Sequence, residues 1–422
     1  MKGWYLLVAA AIAALLWLSH MPALLFHAQF YADDGGWYQL AYSEGPLRSL
    51  THQAGGYLVM LQRLGASASL ALPIVAVPTF FNAVGLAVGV GGICYLLSAR
   101  MATAIPSLAA RAAIALLVIA VPNAYDTAGN LTNAQWHLGL IAFLVMFARP
   151  PRRVAGWLLD GLIIVIGGLT GPYCILLEPI IGWLWLRDRR NRRLQVLLAL
   201  NTACVVVQLL VILTHVGAQR TAGSLGAGFL PLVQMIARQL TLGLLIGAHG
   251  LSSIAGSPAA SNLAILTVLA VIPLAVCVWA AWRGPSMLRA FCLLAGLELA
   301  LALVAPSIGV PRWPKLGNPA SIVEFHPGGI RYFLFPLLAF AISLGWIAVR
   351  ALGGRIERTA AVAAAVLLLA AVTIGVRADW EYPPYLDEHW GAEVQRLQAA
   401  PRGTLVVIPI NPHGWNVSLV AR

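Results

Sequence analysis

Long apolar runs, separated by short polar segments, dominate the sequence. The first run extends from Trp4 to about Phe26, and further runs follow at 72–98, 108–122, 134–148, 154–170, 172–186, 194–214, 261–282, 290–307, 333–349 and 359–376. Because a helix needs about 20 apolar residues to cross a bilayer, this pattern predicts about eleven transmembrane helices. No small-residue cleavage site follows the first run, so we expect it to be kept as a helix.

Composition and charge agree with a membrane protein. Apolar residues make up 60% of the chain and charged residues only 10%, with a mean hydropathy of +0.82. Soluble domains carry about 25% charged residues, so a soluble globule is excluded. The net charge of +12 comes from short basic runs between apolar segments. Such runs are topology signals, so they do not predict nucleic-acid binding.

The distribution of basic residues sets the predicted topology. Arginines flank the stretch 154–186 on both sides, so an even number of crossings is needed, and Thr170-Gly171-Pro172 supplies a break between two short helices. We expect 229–254, which carries Arg238 and His249, to be an interfacial or re-entrant helix. The N-terminus is then cytoplasmic, and the inner loops hold only Asp188 and Glu357 among the acidic residues.

The predicted outer segments are 27–71, 123–133, 215–260, 308–332 and the tail. Residues 1–376 form the predicted transmembrane part and 377–422 a short extracytoplasmic cap. Within the cap, Leu386–Ala399 has the spacing of an amphipathic helix, and Gly403–Ile410 that of a strand. The predicted fold class is therefore an all-α polytopic membrane protein with interfacial helices in its outer loops and a small α/β tail.

The first outer loop contains the adjacent acids Asp33 and Asp34. Neighbouring carboxylates resist double ionisation, so one of them can serve as a base. The glycines that follow let the backbone approach a ligand, and Trp37 can pack against a sugar ring. An acidic turn with aromatic interface anchors explains the same residues. Further along, Arg48 and His52 can reach either a phosphate of the substrate or a lipid headgroup.

Two other outer segments carry candidate binding residues. Asn133 and His137 precede or begin an apolar helix and can bind sugar hydroxyls, although Asn133 also suits an N-cap. Arg331 and Tyr332 stand at the outer entry of a late helix. The planar guanidinium of an arginine there can bind two phosphate oxygens, and interfacial snorkelling is the alternative.

An Asp pair followed by an aromatic residue, in a long outer loop directly after the first transmembrane helix, resembles the GT-C superfamily of membrane glycosyltransferases. The resemblance implies that Asp33 is the catalytic base, Asp34 a supporting acid and Asp126 the acid of the second outer loop. It also implies that Arg331 and Tyr332 bind the phosphate of the lipid carrier. The chain departs from the family pattern because its second acid is Asp rather than Glu and no large soluble C-terminal domain follows.

The function implied by this resemblance is inverting transfer of a monosaccharide from a polyprenyl-phosphate carrier to an acceptor hydroxyl. The acceptor is a glycan, a lipid or a protein, and the reaction takes place at the outer face of the cytoplasmic membrane, among membrane lipids. The sequence leaves open whether a divalent metal ion takes part. This hypothesis predicts that the paired aspartates and Arg331 lie close together in one extracytoplasmic pocket.

A lipid or solute transporter is the alternative, and a non-catalytic assembly partner is a third reading. Transport would use the acids Asp160, Glu178 and Glu298, which lie within apolar runs where ionisable groups are costly. A structural role explains them more simply, with Asp160 beside Arg153 and the other two stabilising helix packing. Motifs of P-loop, serine-hydrolase and zinc-protease enzymes do not occur in the sequence.

Overall fold

The computed structural model describes residues 4–214, 229–254, 257–300, 330–350 and 355–422. Helices dominate these ranges. In the first half they are α1 (Trp4–His20), α2 (Ala23–Phe26), α3 (Asp33–Glu44), α4 (Pro46–Ser49), α5 (Met60–Ser69), α6 (Val77–Leu97), α7 (Leu108–Ala120), α8 (Ala134–Phe147), α9 (Val154–Gly168), α10 (Tyr173–Arg187) and α11 (Arg192–Thr214).

The second half continues the helical pattern and ends in a small sheet. Its helices are α12 (Phe229–Met235), α13 (Gly243–Ile254), α14 (Pro258–Ser261), α15 (Leu263–Arg283), α16 (Ser286–Glu298), α17 (Leu334–Ala348), α18 (Arg355–Ala370) and α19 (Trp390–Ala399). Strands β1 (Leu405–Ile410) and β2 (Trp415–Val420) pair antiparallel, with Leu405 opposite Val420 and Ile410 opposite Trp415.

Several of these helices have the length and apolar character of membrane spans. Five described helices qualify fully, namely Ile74–Leu97, Arg192–Thr214, Leu263–Arg283, Ile330–Ala348 and Glu357–Val376. Four shorter apolar helices accompany them, namely Trp4–His20, Leu108–Ala120, Ala134–Phe147 and Val154–Gly168. The predicted helical fold, with helices long and apolar enough to cross a membrane, is thus confirmed among the described residues. Residues 301–307 of the predicted run 290–307 lie outside the described residues.

Contacts divide the chain into two compact units. Unit 1 comprises Met1–Pro106, Thr127–Arg220 and Pro383–Arg422, and unit 2 comprises Ser107–Asp126 and Thr221–Tyr382. The paired aspartates of the first loop therefore belong to unit 1, together with the terminal hairpin formed by β1 and β2. Asp126 and Arg331 belong to unit 2.

Unit 1 contains the predicted break between two short helices. α9 ends at Gly168 and α10 begins at Tyr173, which confirms the interruption at Thr170-Gly171-Pro172. Each helix has 15 residues, or roughly 22 Å at 1.5 Å per residue, which is less than the hydrocarbon thickness. Gln208 of α11 closes the break, because its side-chain amide donates to the carbonyls of Leu58, Gly168 and Gly171.

At the start of α9 and α11, buried charges join the helices of unit 1. Asp160 is fully buried and accepts hydrogen bonds from Arg100 at 2.8 and 2.6 Å and from Arg193 at 3.0 Å. The Tyr95 hydroxyl donates to the same carboxylate at 3.1 Å. Two guanidinium groups compensate the carboxylate, so Asp160 has a structural role, with partners other than the expected Arg153.

The terminal hairpin packs on α3. The hydrophobic core at this contact contains Phe30, Tyr38, Ile408, Val417 and, from α19, Trp390. The predicted strand is confirmed, whereas β2 was not predicted. The predicted tail helix is confirmed from Trp390 onward, but it does not start at Leu386, since His389 adopts a left-handed backbone conformation with φ 54°.

Unit 2 contains a broken helix in the range that was expected to be interfacial or re-entrant. α12, a π-helical segment at Ile236–Leu242 and α13 follow one another through 229–254. Gly247, with φ 69° and ψ −179°, interrupts α13. A Cβ atom at Gly247 would lie 2.6 Å from the carboxyl group of Asp379, so both the backbone conformation and the close approach require glycine.

Candidate functional site

The acid pair opens helix α3, and the terminal hairpin holds the entry to that helix. Asp33 and Asp34 occupy the first turn, where the helix dipole favours negative charge. The preceding residue, Ala32, has a positive φ of 50°, which is strained for a side chain larger than glycine. The backbone N–H of Ala32 donates a hydrogen bond to the carbonyl of Asn411, and the N–H of Asn411 donates one to the carbonyl of Phe30 at 3.1 Å. The C-terminal tail thereby holds the backbone of the acid pair in place.

Asp34 is fully buried beside the second predicted outer loop. Its Oδ1 accepts a hydrogen bond from the Thr132 hydroxyl at 2.7 Å, and its Oδ2 has no hydrogen-bond partner among the described residues. Burial raises the pKa of Asp34 from 3.8 to about 7, the Thr132 hydrogen bonds oppose this rise, and the charge of Asp33 adds to it. Near neutral pH, Asp34 is therefore present in both its protonated and ionised forms.

Asp33 is half-buried and lines a cavity of about 350 Å³. Trp37, Gln39, Gln53 and Arg63 line the same cavity. This volume lies at the lower end of the roughly 300–1,000 Å³ typical of small-molecule sites. The lining offers a carboxylate, a guanidinium, two amides and an aromatic ring, which is a set of groups suited to a polar ligand with several hydroxyls.

Arg63 belongs to this cavity, although the sequence analysis did not select it. It lies on α5, is only 3% exposed, and its guanidinium carbon is 4.7 Å from the centre of the Trp37 ring. Its Nε–H donates to the carbonyl of His52 at 3.3 Å. Burial lowers the pKa of Arg63 to about 10, opposed by the charge of Glu44, so the group is still cationic at neutral pH. The burial of Arg63 depends on how α5 packs near Trp37 of α3, which no local sequence pattern indicates.

Arg48 and His52 do not line the cavity. Arg48 is exposed on α4, and its carbonyl accepts hydrogen bonds from Thr51. His52 is exposed, and its Nε2 lies 2.8 Å from a carboxylate oxygen of Glu44. Both residues are thus accessible from the surrounding medium.

Asn133 and His137 are buried within unit 1. Asn133 holds the N-cap position of α8 without a side-chain capping bond, while Asn130 accepts the Asn133 N–H at 2.7 Å in the preceding turn. His137 is 3.1 Å from the carbonyl of Thr127 through its Nε2 and makes an edge contact with Trp17. These contacts give His137 a place in the helix packing.

Asp126 and Arg331 meet in unit 2. The Asp126 Oδ2 lies 3.6 Å from Arg331 Nη1, the carboxylate being fully buried and the arginine side chain 15% exposed. The guanidinium also lies 5.3 Å from the ring centre of Tyr332. Burial raises the pKa of the neighbouring Tyr125, with additional contributions from Asp126 and Asp379, so this phenol stays neutral. The expected convergence of Arg331 with the paired aspartates stays a prediction.

A third buried carboxylate in unit 2, Asp379, was not among the predicted site residues. It accepts backbone N–H groups from Asn123 at 2.8 Å, Ala248 at 2.6 Å and His249 at 3.0 Å. The ring of His249 lies 3.2 Å away through its Nδ1. Asp379 therefore caps the half-helix that follows Gly247, a role set by a contact over 130 residues that no local pattern indicates.

Within the described ranges, no group of three or more His, Cys, Asp or Glu side chains is arranged to hold a metal ion. Comparison with known proteins finds no matching family model and no matching curated protein.

Proposed function

We propose that the protein is a membrane glycosyltransferase that moves a monosaccharide from a polyprenyl-phosphate carrier to an acceptor hydroxyl. The observation that carries this proposal is the cavity lined by Asp33, Trp37 and Arg63. It combines a carboxylate able to take a proton, an aromatic ring able to pack on a sugar, and a cation able to offset phosphate charge. The glycan, lipid or protein acceptor is defined only by its hydroxyl group.

In the proposed reaction, Asp33 takes the proton of the acceptor hydroxyl while that oxygen forms a bond to the anomeric carbon. The bond between this carbon and the carrier phosphate breaks, and its electron pair leaves with the phosphate. Attack opposite the leaving group inverts the anomeric configuration. Asp34 does not line the cavity, so we assign it a positioning role through Thr132. Arg331 is paired with Asp126 within unit 2, and its role at a carrier phosphate stays a prediction.

We further propose about eleven membrane spans, with a cytoplasmic N-terminus and an extracytoplasmic tail in the cytoplasmic membrane. Contacts within unit 1 support this topology. Arg100 donates to the carbonyl of Arg149, and both Arg100 and Arg193 bind Asp160, so basic residues from three predicted inner segments gather together. That clustering is what the positive-inside rule expects of a cytoplasmic end.

The test is a transfer assay with the purified full chain in proteoliposomes, using a labelled polyprenyl-phosphate sugar and a panel of acceptors. Asp33→Asn removes the base and should lower the transfer rate by about 100-fold or more. The matched control, Asp188→Asn, neutralises an exposed acid in a predicted inner loop and should transfer at the wild-type rate. Undiminished transfer by Asp33→Asn would reject this mechanism.

A transporter is the second candidate, and Glu298 is the observation that favours it. This residue is 2% exposed, and neither of its carboxylate oxygens has a hydrogen-bond partner among the described residues. Glu178 favours it less, because Asn201 and Thr202 donate to its carboxylate and join α10 to α11. If Glu298→Gln abolishes a lipid or solute flux while Asp33→Asn leaves it intact, the transporter reading is correct.

A further inference from the structure

The guanidinium group of Arg63 has an unusual environment for a buried charge. Its single hydrogen bond to the described residues is from Nε–H to the His52 carbonyl, although a guanidinium carries five N–H donors. Nη1 is buried without a hydrogen-bond partner in the described part of the chain. An uncompensated buried charge is strongly unfavourable, so such a group is usually paired or occupied by a ligand.

The carboxylates nearest in sequence do not neutralise this charge. Glu44 is engaged by His52 at 2.8 Å, and the described residues provide no carboxylate within ion-pair distance of Arg63. Asp33 lines the same cavity as Arg63. The cavity is therefore lined by one carboxylate and by one guanidinium that has no carboxylate partner among the described residues.

The orientation of Arg63 is held by its neighbours. The Trp37 ring lies against the guanidinium at 4.7 Å, and the His52 carbonyl holds its Nε edge. A guanidinium fixed in this way has terminal nitrogens without hydrogen bonds to the described residues, and two parallel N–H groups match two oxygens of a phosphate or carboxylate. Holding the planar group in advance reduces the entropy lost on binding.

We propose that Arg63 forms an oxyanion subsite of the Asp33 cavity and binds a phosphate group carried by the ligand of that cavity. The identity of this ligand as an isoprenyl phosphate rests on the proposed function, whereas the subsite itself rests on the geometry of Arg63. Arg48 and His52 then have no part in phosphate binding at this cavity.

Binding of a short-chain isoprenyl monophosphate to the purified full chain in neutral detergent tests the proposal. Calorimetry should show that wild-type protein binds this lipid more tightly than the matching uncharged isoprenol. Arg63→Gln should weaken binding of the phosphate by about 10- to 100-fold, as expected for charge-assisted hydrogen bonds. The matched control, Arg48→Gln, removes an exposed arginine of the same loop and should bind as the wild type does.

The outcomes of this experiment distinguish a lipid phosphate from a soluble phosphate, and they distinguish failure of the Arg63 subsite from failure of the proposed sugar transfer. Inorganic phosphate binding as tightly as the lipid would support the subsite while assigning it a soluble ligand. The proposal would be overturned if Arg63→Gln bound isoprenyl phosphate with an affinity within twofold of wild type. It would also be overturned if Arg48→Gln lost as much affinity as Arg63→Gln. If Arg63→Gln does not fold, Arg63→Lys keeps the charge without the planar fork, and unchanged affinity would overturn the proposal. Because binding is measured without turnover, failure of sugar transfer leaves this result intact.

Discussion

Asp34 makes the stability of the protein depend on pH, and the Asp34→Asn substitution should remove that dependence. The carboxyl group is fully buried, and burial raises its pKa from 3.8 to about 7. Between these two values the folded protein holds a proton that the unfolded chain has already released. Stability from this group is therefore fully present below about pH 4 and is lost as the pH rises through 7.

The size of the effect follows from the two pKa values. They differ by roughly three units, and each unit corresponds to about 1.4 kcal/mol, so the loss between pH 4 and pH 8 is on the order of 4 kcal/mol. An asparagine at this position is of similar size, carries no charge and can still accept the Thr132 hydrogen bond through Oδ1. Asp34→Asn should thus be more stable than the wild type at pH 8 and similar to it at pH 4.

Thermal unfolding of both proteins in one detergent, from pH 4 to pH 9, measures this difference. Groups that titrate in both proteins contribute equally to both melting curves, so their effects cancel when the curves are compared. Thr132→Val removes a hydrogen bond that lowers the pKa of Asp34, so the stability loss should extend to higher pH. Asp188→Asn, an exposed control, should follow the wild-type curve. If the melting curves of wild type and Asp34→Asn stay parallel across the whole range, the reasoning from burial is wrong.

Three further substitutions test the structural contacts, each by thermal unfolding. Asp160→Asn should destabilise unit 1 by about 3–5 kcal/mol, because two arginines lose their shared carboxylate, and an unchanged melting temperature would contradict this. Gln208→Leu removes the side-chain partner of the Leu58 N–H and of the Gly168 and Gly171 carbonyls and should cost about 2–4 kcal/mol, whereas Gln195→Leu, at an exposed position of the same helix, should cost little. Asp379→Ala uncaps the half-helix after Gly247 and should cost about 3 kcal/mol; stability equal to the wild type would remove its capping role.

The helices and their interruptions could be predicted from the sequence because the signals are local. Apolar runs of spanning length mark the helices, and Thr170-Gly171-Pro172 marks the break between α9 and α10 because proline cannot continue the helical hydrogen bonds. The strand Leu405–Ile410 was recognisable as a short run of apolar residues, and in the structure its residues alternate between exposed and buried positions. Its partner β2 was missed because the turn residues before it ended the recognised pattern.

The chemistry of the site was less predictable because it depends on contacts between distant residues. Asp33 and Trp37 were chosen from one loop and do line one cavity. The contact of Asp34 with Thr132 spans 98 residues, and the contact of Asp379 with Asn123 spans 256. Burial of Arg63 against Trp37 likewise follows from how α3 and α5 pack, so composition gave no reason to prefer it over the exposed Arg48.

A structure of the full chain in a lipid bilayer, with an unreactive polyprenyl-phosphate sugar bound, tests the central claim most directly. We expect the sugar within reach of Asp33 and Trp37, with its phosphate against a guanidinium group. A headgroup bound instead among Arg100, Asp160 and Arg193, or a sugar that leaves the Asp33 cavity empty, would contradict the proposed catalytic role.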